Sequence, residues 1–468
     1  MSDHEQLDAD PQVPEPPEAP LAQRRFFGGW FVLAVSFVFL IVLPLVRLDG
    51  SDKEPGFNST ELEQRLKIAV LGKEFAEAAK SNSTQSSSDE LEKEFKNIRK
   101  EAFPFRESDI GAAKFTLAVG HEVGLTADPG ALKLLEKSKS AVDRDFAKIY
   151  ASDKLDPNWV ASIRSSLPAT FLGKVVLTHA YQKSGQPDVA EDVVTTRDAI
   201  GVGVVFIGAL FALAVGIIVL IASVLNHFAG SKPAVGHPYA GLTVQDADRL
   251  AWRMAVFLVI FVFVPSLLIL GLRGRVNGDL LTLIGEIAVL VVFAMACATP
   301  VLGVADPLKK ILGSTASLPK LIGIGILGFF ANLPIVMVLA LVTQQILRNA
   351  PAPTHPISEQ IGAGADPVSI ALMYIVAAVM APILEELSFR GLLFPALGRF
   401  MKPGLAMVVS GLLFGMIHPQ GPVLWPSLAA IGAMSAYLAY RTGSLVPSMV
   451  MHAVHNASIL TLSLVILY

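Results

Sequence analysis

The sequence predicts an all-α fold: a polytopic membrane helical bundle of about eight to nine spans, with a helical soluble domain inserted after the first. Three observations carry this. Of 468 residues, 53% are hydrophobic and 16% charged, with a mean hydropathy of +0.55. That is too apolar and too charge-poor for an ordinary soluble chain. Apolar runs of spanning length recur at Gly28–Val46 and then from Ile200 to the end, whereas well over half of the charged residues fall within 48–198. The net charge of −3 argues against a nucleic-acid partner.

Residues 1–27 are acidic and Pro-rich and read as a disordered cytoplasmic tail. Arg24 and Arg25 end it. The run at 28–47 reads as an uncleaved membrane anchor: it is longer than a signal-peptide core, and Leu43–Asp49 lacks an Ala-x-Ala-like cleavage site. In the 48–198 domain, Leu62, Leu66, Ile68, Val70 and Leu71 recur at helical spacing, and Thr60 can cap a helix with Glu63 three residues on. Asn82–Glu90 reads as a Ser-rich linker. Helical patterns return near 131–151 and 159–184. Asn58-Ser59-Thr60 and Asn82-Ser83-Thr84 are glycosylation sequons, which chance supplies often. His121 and His179 read as surface or packing residues.

Spans are expected near 200–225, 251–271, 279–301, 321–343, 367–397, 404–422, 424–440 and 444–466. This makes 199–366 a set of membrane spans and 367–468 a separate membrane core. Lys309, Lys310, Lys320, Arg399, Lys402 and Arg441, with the Arg24–Arg25 pair, place the N-terminus in the cytoplasm. Arg273, Arg275 and Arg348 oppose that orientation. The 48–198 domain is then extracytoplasmic. Cys297 stands alone, so no intramolecular disulfide forms, and it reads as a small buried hydrophobe.

Three polar clusters sit in the apolar C-terminal region: Glu385-Glu386-x-x-x-Arg390, Phe414-x-x-x-His418 and His452-x-x-x-Asn456. Ionisable groups at bilayer depth are costly and default to function. The expected spans put Glu385, His418, His452 and Asn456 about 18, 21, 12 and 18 Å from one surface, at 1.5 Å per residue. Glu386 and Arg390 share a helix face and can pair, while Glu385 is rotated from Glu386 by about 100°. His455 points elsewhere on its helix. Asn332 and Glu286, isolated in other spans, read as polar groups that lock helices together.

These residues allow peptide hydrolysis. Glu385 with His418 could deprotonate a water, and His452 with Asn456 could donate to an oxyanion. A zinc ion held by glutamate and two histidines is the rival, although no His-Glu-x-x-His helix is present and asparagine is a poor zinc ligand.

In their order and spacing, the three clusters resemble the CPBP intramembrane glutamic protease family, also called the CAAX protease and bacteriocin-processing (Abi) family. Tyr440-Arg-Thr-Gly-Ser-Leu-x-Pro447 is similar to that family's approach to its last motif. The resemblance covers roughly 367–466. It implies a metal-independent intramembrane protease without a cofactor, in which Glu385 and His418 activate water, His452 and Asn456 form the oxyanion hole, and Glu386 and Arg390 support the site. It also implies a peptide or protein substrate, lipidated or plain, met within membrane lipid, and a multi-pass protein of the bacterial inner-membrane type. The large 48–198 domain departs from the minimal family pattern; it is expected to present substrate or bind a protein partner. A non-catalytic scaffold, a bacteriocin-immunity protein and a transporter are the other readings.

Overall fold

The computed structural model describes residues 28–50, 59–78, 84–168, 170–191, 193–194, 196–228, 242–272, 276, 278–298, 316–347, 367–418 and 420–467. The expected 1–27 tail lies outside these, as do Arg24, Arg25, Arg273, Arg275, Lys309, Lys310, Arg348 and both sequon asparagines. The backbone at Cys297 is helical, but its side chain is likewise outside the described part.

The first helix, α1 (Gly28–Gly50), is apolar and leads to the soluble domain. That domain comprises α2 (Ser59–Ala78), α3 (Thr84–Ala102), α4 (Ile110–Glu122), α5 (Pro129–Glu136), α6 (Ala141–Ala151), α7 (Pro157–Ile163), α8 (Phe171–Lys183) and α9 (Pro187–Glu191). Its helix starts follow capping chemistry. Asp109, Asp128 and Asp156 each accept a hydrogen bond from a backbone N–H in the first turn that follows, and proline follows Asp128 and Asp156. One core gathers Leu66, Ile98, Phe115, Phe146, Phe171 and Val176.

One expectation changes here. The Ser-rich stretch is helical from Thr84 onward rather than a linker through Glu90; serines are tolerated where the helix packs elsewhere along its length. The side chain of Thr60 lies outside the described part, so the capping pair with Glu63 does too. Glu63 Oε1 accepts from Leu172 N at 2.7 Å, so this buried carboxylate serves the N-terminus of α8, where backbone donors and the helix dipole favour an anion. The two histidines are packing residues. His179 is buried, with Nδ1 2.8 Å from the Tyr150 hydroxyl and Nε2 2.9 Å from Glu122 Oε1, and the His121 ring lies 4.3 Å from it.

The membrane region contains α10 (Thr196–Phe228), α11 (Val244–Leu272), α12 (Gly278–Ala298), α13 (Leu318–Ile346), α14 (Pro367–Gly398), α15 (Pro403–Met416), α16 (Trp425–Thr442) and α17 (Val446–Leu467). Among the described residues, five helices are long and apolar enough to cross a membrane: 203–226 within α10, α11, α13, α14, and 446–465 within α17. Gly28–Ile41, Leu280–Val292 and α15 are shorter apolar helices. On α10, Phe206, Ile207, Leu210, Phe211, Ile218 and Leu225 are exposed, the pattern of a lipid-facing helix.

Small residues set the approaches. A Cβ on Gly216 of α10 would lie 2.5 Å from Phe330 O of α13, and one on Gly325 of α13 would lie 2.7 Å from Pro447 O of α17. Asp248 of α11 accepts from Gly29 N at 3.1 Å and so caps α1. Lys67 of α2, 2% exposed, donates to Val465 O at 3.0 Å. This joins the soluble domain to the C-terminal end of α17, where a cation complements the helix dipole. The start of α10 and the end of α17 therefore both meet this domain.

Candidate active site

The helix carrying the first cluster is not a regular α-helix. α14 widens into π-turns at Val376–Met380 and Phe389–Leu393, on either side of Glu385 and Glu386. The local sequence explains both. In the first, Ala381 N–H bonds Val376 O, and the next residue, Pro382, has no N–H to offer Ala377 O. In the second, Phe394 N–H bonds Phe389 O and Pro395 follows. Asn456 of α17 repairs the first gap: its Nδ2 donates to Ala377 O at 2.8 Å.

Glu386 and Arg390 are both wholly buried and pair at 3.0 Å, as their spacing predicts. Arg390 Nη2 also donates to Gly432 O on α16 at 2.7 Å. The guanidinium occupies a slot made by missing side chains: a Cβ on Gly432 would lie 2.8 Å from Gly411 Cα and 3.1 Å from Nη2. Its carbon stands 4.7 Å over the ring of the fully buried Phe414.

His452 sits between the two carboxylates. Its Nδ1 is 3.1 Å from Glu386 Oε1 and its Nε2 is 3.7 Å from Glu385 Oε2. A carboxylate paired with Arg390 only accepts, so Nδ1 carries the hydrogen. His418 Nδ1 lies 2.6 Å from Phe414 O, which likewise requires Nδ1–H and leaves the Nε2 lone pair facing Glu385 Oε2 at 3.9 Å. Three acceptor atoms thus converge: one carboxylate oxygen and, in the neutral rings, two imidazole nitrogens. Glu385 Oε2 has no hydrogen-bond partner among the described residues. The side chains of Glu385 and His418 are each 18% exposed, so this is the part of the cluster that solvent reaches.

The position of His418 differs from expectation. It was expected inside a span at 404–422, but α15 ends at Met416 and His418 lies in the turn before α16. Fourteen residues extend about 21 Å, short of the ~30 Å hydrocarbon core. Trp425 Nε1 holds the turn by donating to His418 O at 3.2 Å. Gly421, at φ 84°, allows the left-handed backbone there. Irregular backbone at membrane depth is tolerated where it lines a cavity.

The structure therefore brings Glu385, Glu386, Arg390, His418 and His452 into one cluster, with Asn456 one turn beyond His452 and bonded to α14. His455 is turned away and its ring packs near Phe329, 6.4 Å between centroids. Glu286, read from sequence as a helix-locking group, lies on α12, which packs on the 367–380 part of α14, and its Oε2 is buried with no hydrogen-bond partner among the described residues.

Residues 367–458 match the family model described as Rce1-like, type II CAAX prenyl endopeptidase. The match supports the CAAX protease family assignment. It covers every cluster residue and indicates a CAAX-protease-like intramembrane endopeptidase acting on peptide or protein substrates, within a multi-pass membrane protein. Neither the curated proteins nor the solved structures gave a match.

Proposed function

We propose that this endopeptidase hydrolyses peptide bonds with a water held between Glu385 and His418. One observation carries the reading: Glu385 Oε2 stands 3.7 Å and 3.9 Å from two imidazole nitrogens supplied by two other parts of the chain. A water about 2.8 Å from both Glu385 Oε2 and His418 Nε2 fits that gap and donates its two hydrogens to them. His418, its tautomer set by Phe414 O, is oriented to take one proton as the water attacks the carbonyl carbon.

The oxyanion that forms needs donors. When His452 carries both protons, its Nε2–H is one; Glu386, fixed by Arg390, orients the ring. The second amide hydrogen of Asn456 is the other, the first being held by Ala377 O. In this reading Glu385, His418, His452 and Asn456 are catalytic, and Glu386 and Arg390 position them.

The proposed mechanism uses no metal ion, and zinc chelation tests the alternative. The soluble domain, docked on the end of α17 through Lys67, is proposed to present substrate or bind a protein partner. The N-terminus is proposed to be cytoplasmic.

The test is cleavage by the purified protein in liposomes, using peptides with prenylated and plain C-termini. Defined products from wild type and none from Glu385→Gln support the proposal. Products unchanged in Glu385→Gln remove Glu385 from the chemistry, and a chain that cleaves nothing while retaining a partner favours the scaffold reading.

A further inference from the structure

The soluble domain carries a small basic cleft that the proposed chemistry does not use. It encloses about 270 Å³ and is lined by Lys96, Arg99, Lys100 and Phe103, from α3 and the turn after it, and by Val123 and Leu125 at the end of α4. Three of these side chains are cations and none is a carboxylate.

The way α4 stops builds one wall. Gly124, at φ 70°, turns the chain; Leu125 N–H bonds Gly120 O at 2.9 Å and Gly124 N–H bonds His121 O at 3.0 Å. In this kind of helix ending, the residue in the place of Leu125 commonly packs on the side chain in the place of Gly120. Glycine offers none. Arg99 runs over that spot instead: a Cβ on Gly120 would lie 3.5 Å from Arg99 Nε. Leu125 is left 49% exposed at the edge of the cleft.

The pairing of nearby charges sets the sign of the cleft. Glu94 and Glu101 both meet Arg65, at 2.7 and 2.8 Å. Glu122, next to Val123, lies 2.9 Å from His179 Nε2. Glu107 and Asp128 meet Arg106 at 2.9 and 3.0 Å. Lys96 meets Glu92 at 2.6 Å, but both side chains are exposed, and such a pair is given up at little cost. Arg99 and Lys100 have no carboxylate partner among the described residues. The Arg99 guanidinium carbon stands 4.7 Å over the Phe103 ring, and its Nε is buried without a hydrogen-bond partner among the described residues. The helix dipole accounts for cations in the last turn of α3. It does not account for a guanidinium laid on an aromatic ring beside an exposed leucine.

We propose that this cleft binds an acidic, partly apolar peptide segment of a substrate or partner. A carboxylate side chain meets Arg99 and Lys100, and a neighbouring apolar side chain covers Leu125 and Phe103. Charge complementarity selects the first, and the exposed apolar wall selects the second. The volume suits one or two side chains and falls below the usual range for a whole small-molecule ligand. The largest contact of the domain with the membrane helices is that of α2 on α17, whereas α3 and α4 build the cleft. This inference deepens the role proposed for the soluble domain and rests on it; it does not depend on Glu385.

The test is fluorescence anisotropy of a labelled peptide alternating Asp or Glu with Leu, added to the full-length protein in nanodiscs of zwitterionic lipid. Saturable binding that weakens with salt, drops about tenfold or more in Arg99→Gln and Lys100→Gln, and drops severalfold in Leu125→Ser supports the site. Lys93→Gln, on the same helix but outside the cleft, should leave binding unchanged. No binding by wild type, or equal losses in Lys93→Gln and Arg99→Gln, overturns the proposal. Equal binding of a peptide with Ser in place of each Leu overturns it too, by reducing the cleft to a general anion site. Vesicles of anionic lipid form the second arm: cleft variants that lose vesicle binding and keep peptide binding would assign the cations to lipid phosphate instead. Should Arg99→Gln not fold, the exposed Lys100 and Leu125 carry the test. Binding is read without cleavage. A protein that binds the peptide through Arg99 yet cleaves nothing contradicts the proposed catalysis and leaves the cleft standing; one that cleaves but binds no peptide here does the reverse.

Discussion

Asn456 donates to the carbonyl of Ala377 at 2.8 Å, and Ala377 is the residue whose carbonyl the ring nitrogen of Pro382 cannot serve. The two helices that carry the first and third motifs are thereby joined at a backbone defect written into the sequence. Asn456→Ala should cost about 1–3 kcal/mol, because it orphans a carbonyl in an apolar interior. Pro382→Ala returns a backbone N–H to this turn, so the cost of Asn456→Ala should shrink in that background. Thermal unfolding of the four proteins in detergent gives the coupling; strict additivity would separate Asn456 from the π-turn.

Arg390 is the cation of a fully buried pair, so its loss should outweigh the loss of the pair as a whole. Arg390→Met leaves Glu386 charged and should destabilise by about 3–5 kcal/mol. Adding Glu386→Gln should recover much of this. Gly432→Ala should weaken the same slot by pushing on the guanidinium. Equal stability of Arg390→Met and the double variant would show that the buried charge is not the cause.

Lys67 links the soluble domain to the last helix. Lys67→Met should leave the domain folded yet loosen its hold on Val465, at a cost of about 1–3 kcal/mol for the unmet carbonyl. Hydrogen exchange should quicken in the last turn of α17 and stay unchanged at α4. Uniform acceleration across the domain would instead assign Lys67 to its core.

Glu63 gives a pH-dependent prediction outside the membrane. Burial pushes its carboxyl above the ordinary carboxylate value, against the backbone N–H bonds at α8 and the Lys67 charge, which act to lower it. A raised acid binds its proton more tightly in the folded state, so its contribution is fully present below the unfolded value and is lost as pH rises through the folded one. Glu63→Gln should remove that part of the pH dependence, and at neutral pH the variant should be at least as stable as wild type. Exchange rates of the α8 amides, followed against pH, check this; an unchanged profile would contradict it.

Much of this was legible in the sequence, for identifiable reasons. Hydropathy placed the apolar helices because lipid demands long apolar runs. The Glu386–Arg390 pair followed from a spacing of four on one helix. Glu385, His418 and His452, placed from sequence in one slab of the membrane, do come together in the structure. What escaped depends on where the backbone departs from regular helix. His418 was expected on a helix face but sits past the end of α15, and Asn456 bonds a carbonyl freed by a π-turn. Glu63, read as part of a local cap, serves the start of a helix more than one hundred residues away. The packing of α12 on the first part of α14 is likewise a relation that no local spacing encodes.

The central claim is that Glu385 and His418 activate the water. The most direct measurement is single-turnover cleavage by wild type, Glu385→Gln and His418→Ala, with wild type repeated after exhaustive zinc chelation. The account predicts that each substitution slows cleavage by on the order of a hundredfold or more while chelation leaves wild type unchanged. Full activity of Glu385→Gln, or loss of wild-type activity on chelation with recovery on adding zinc, would contradict it.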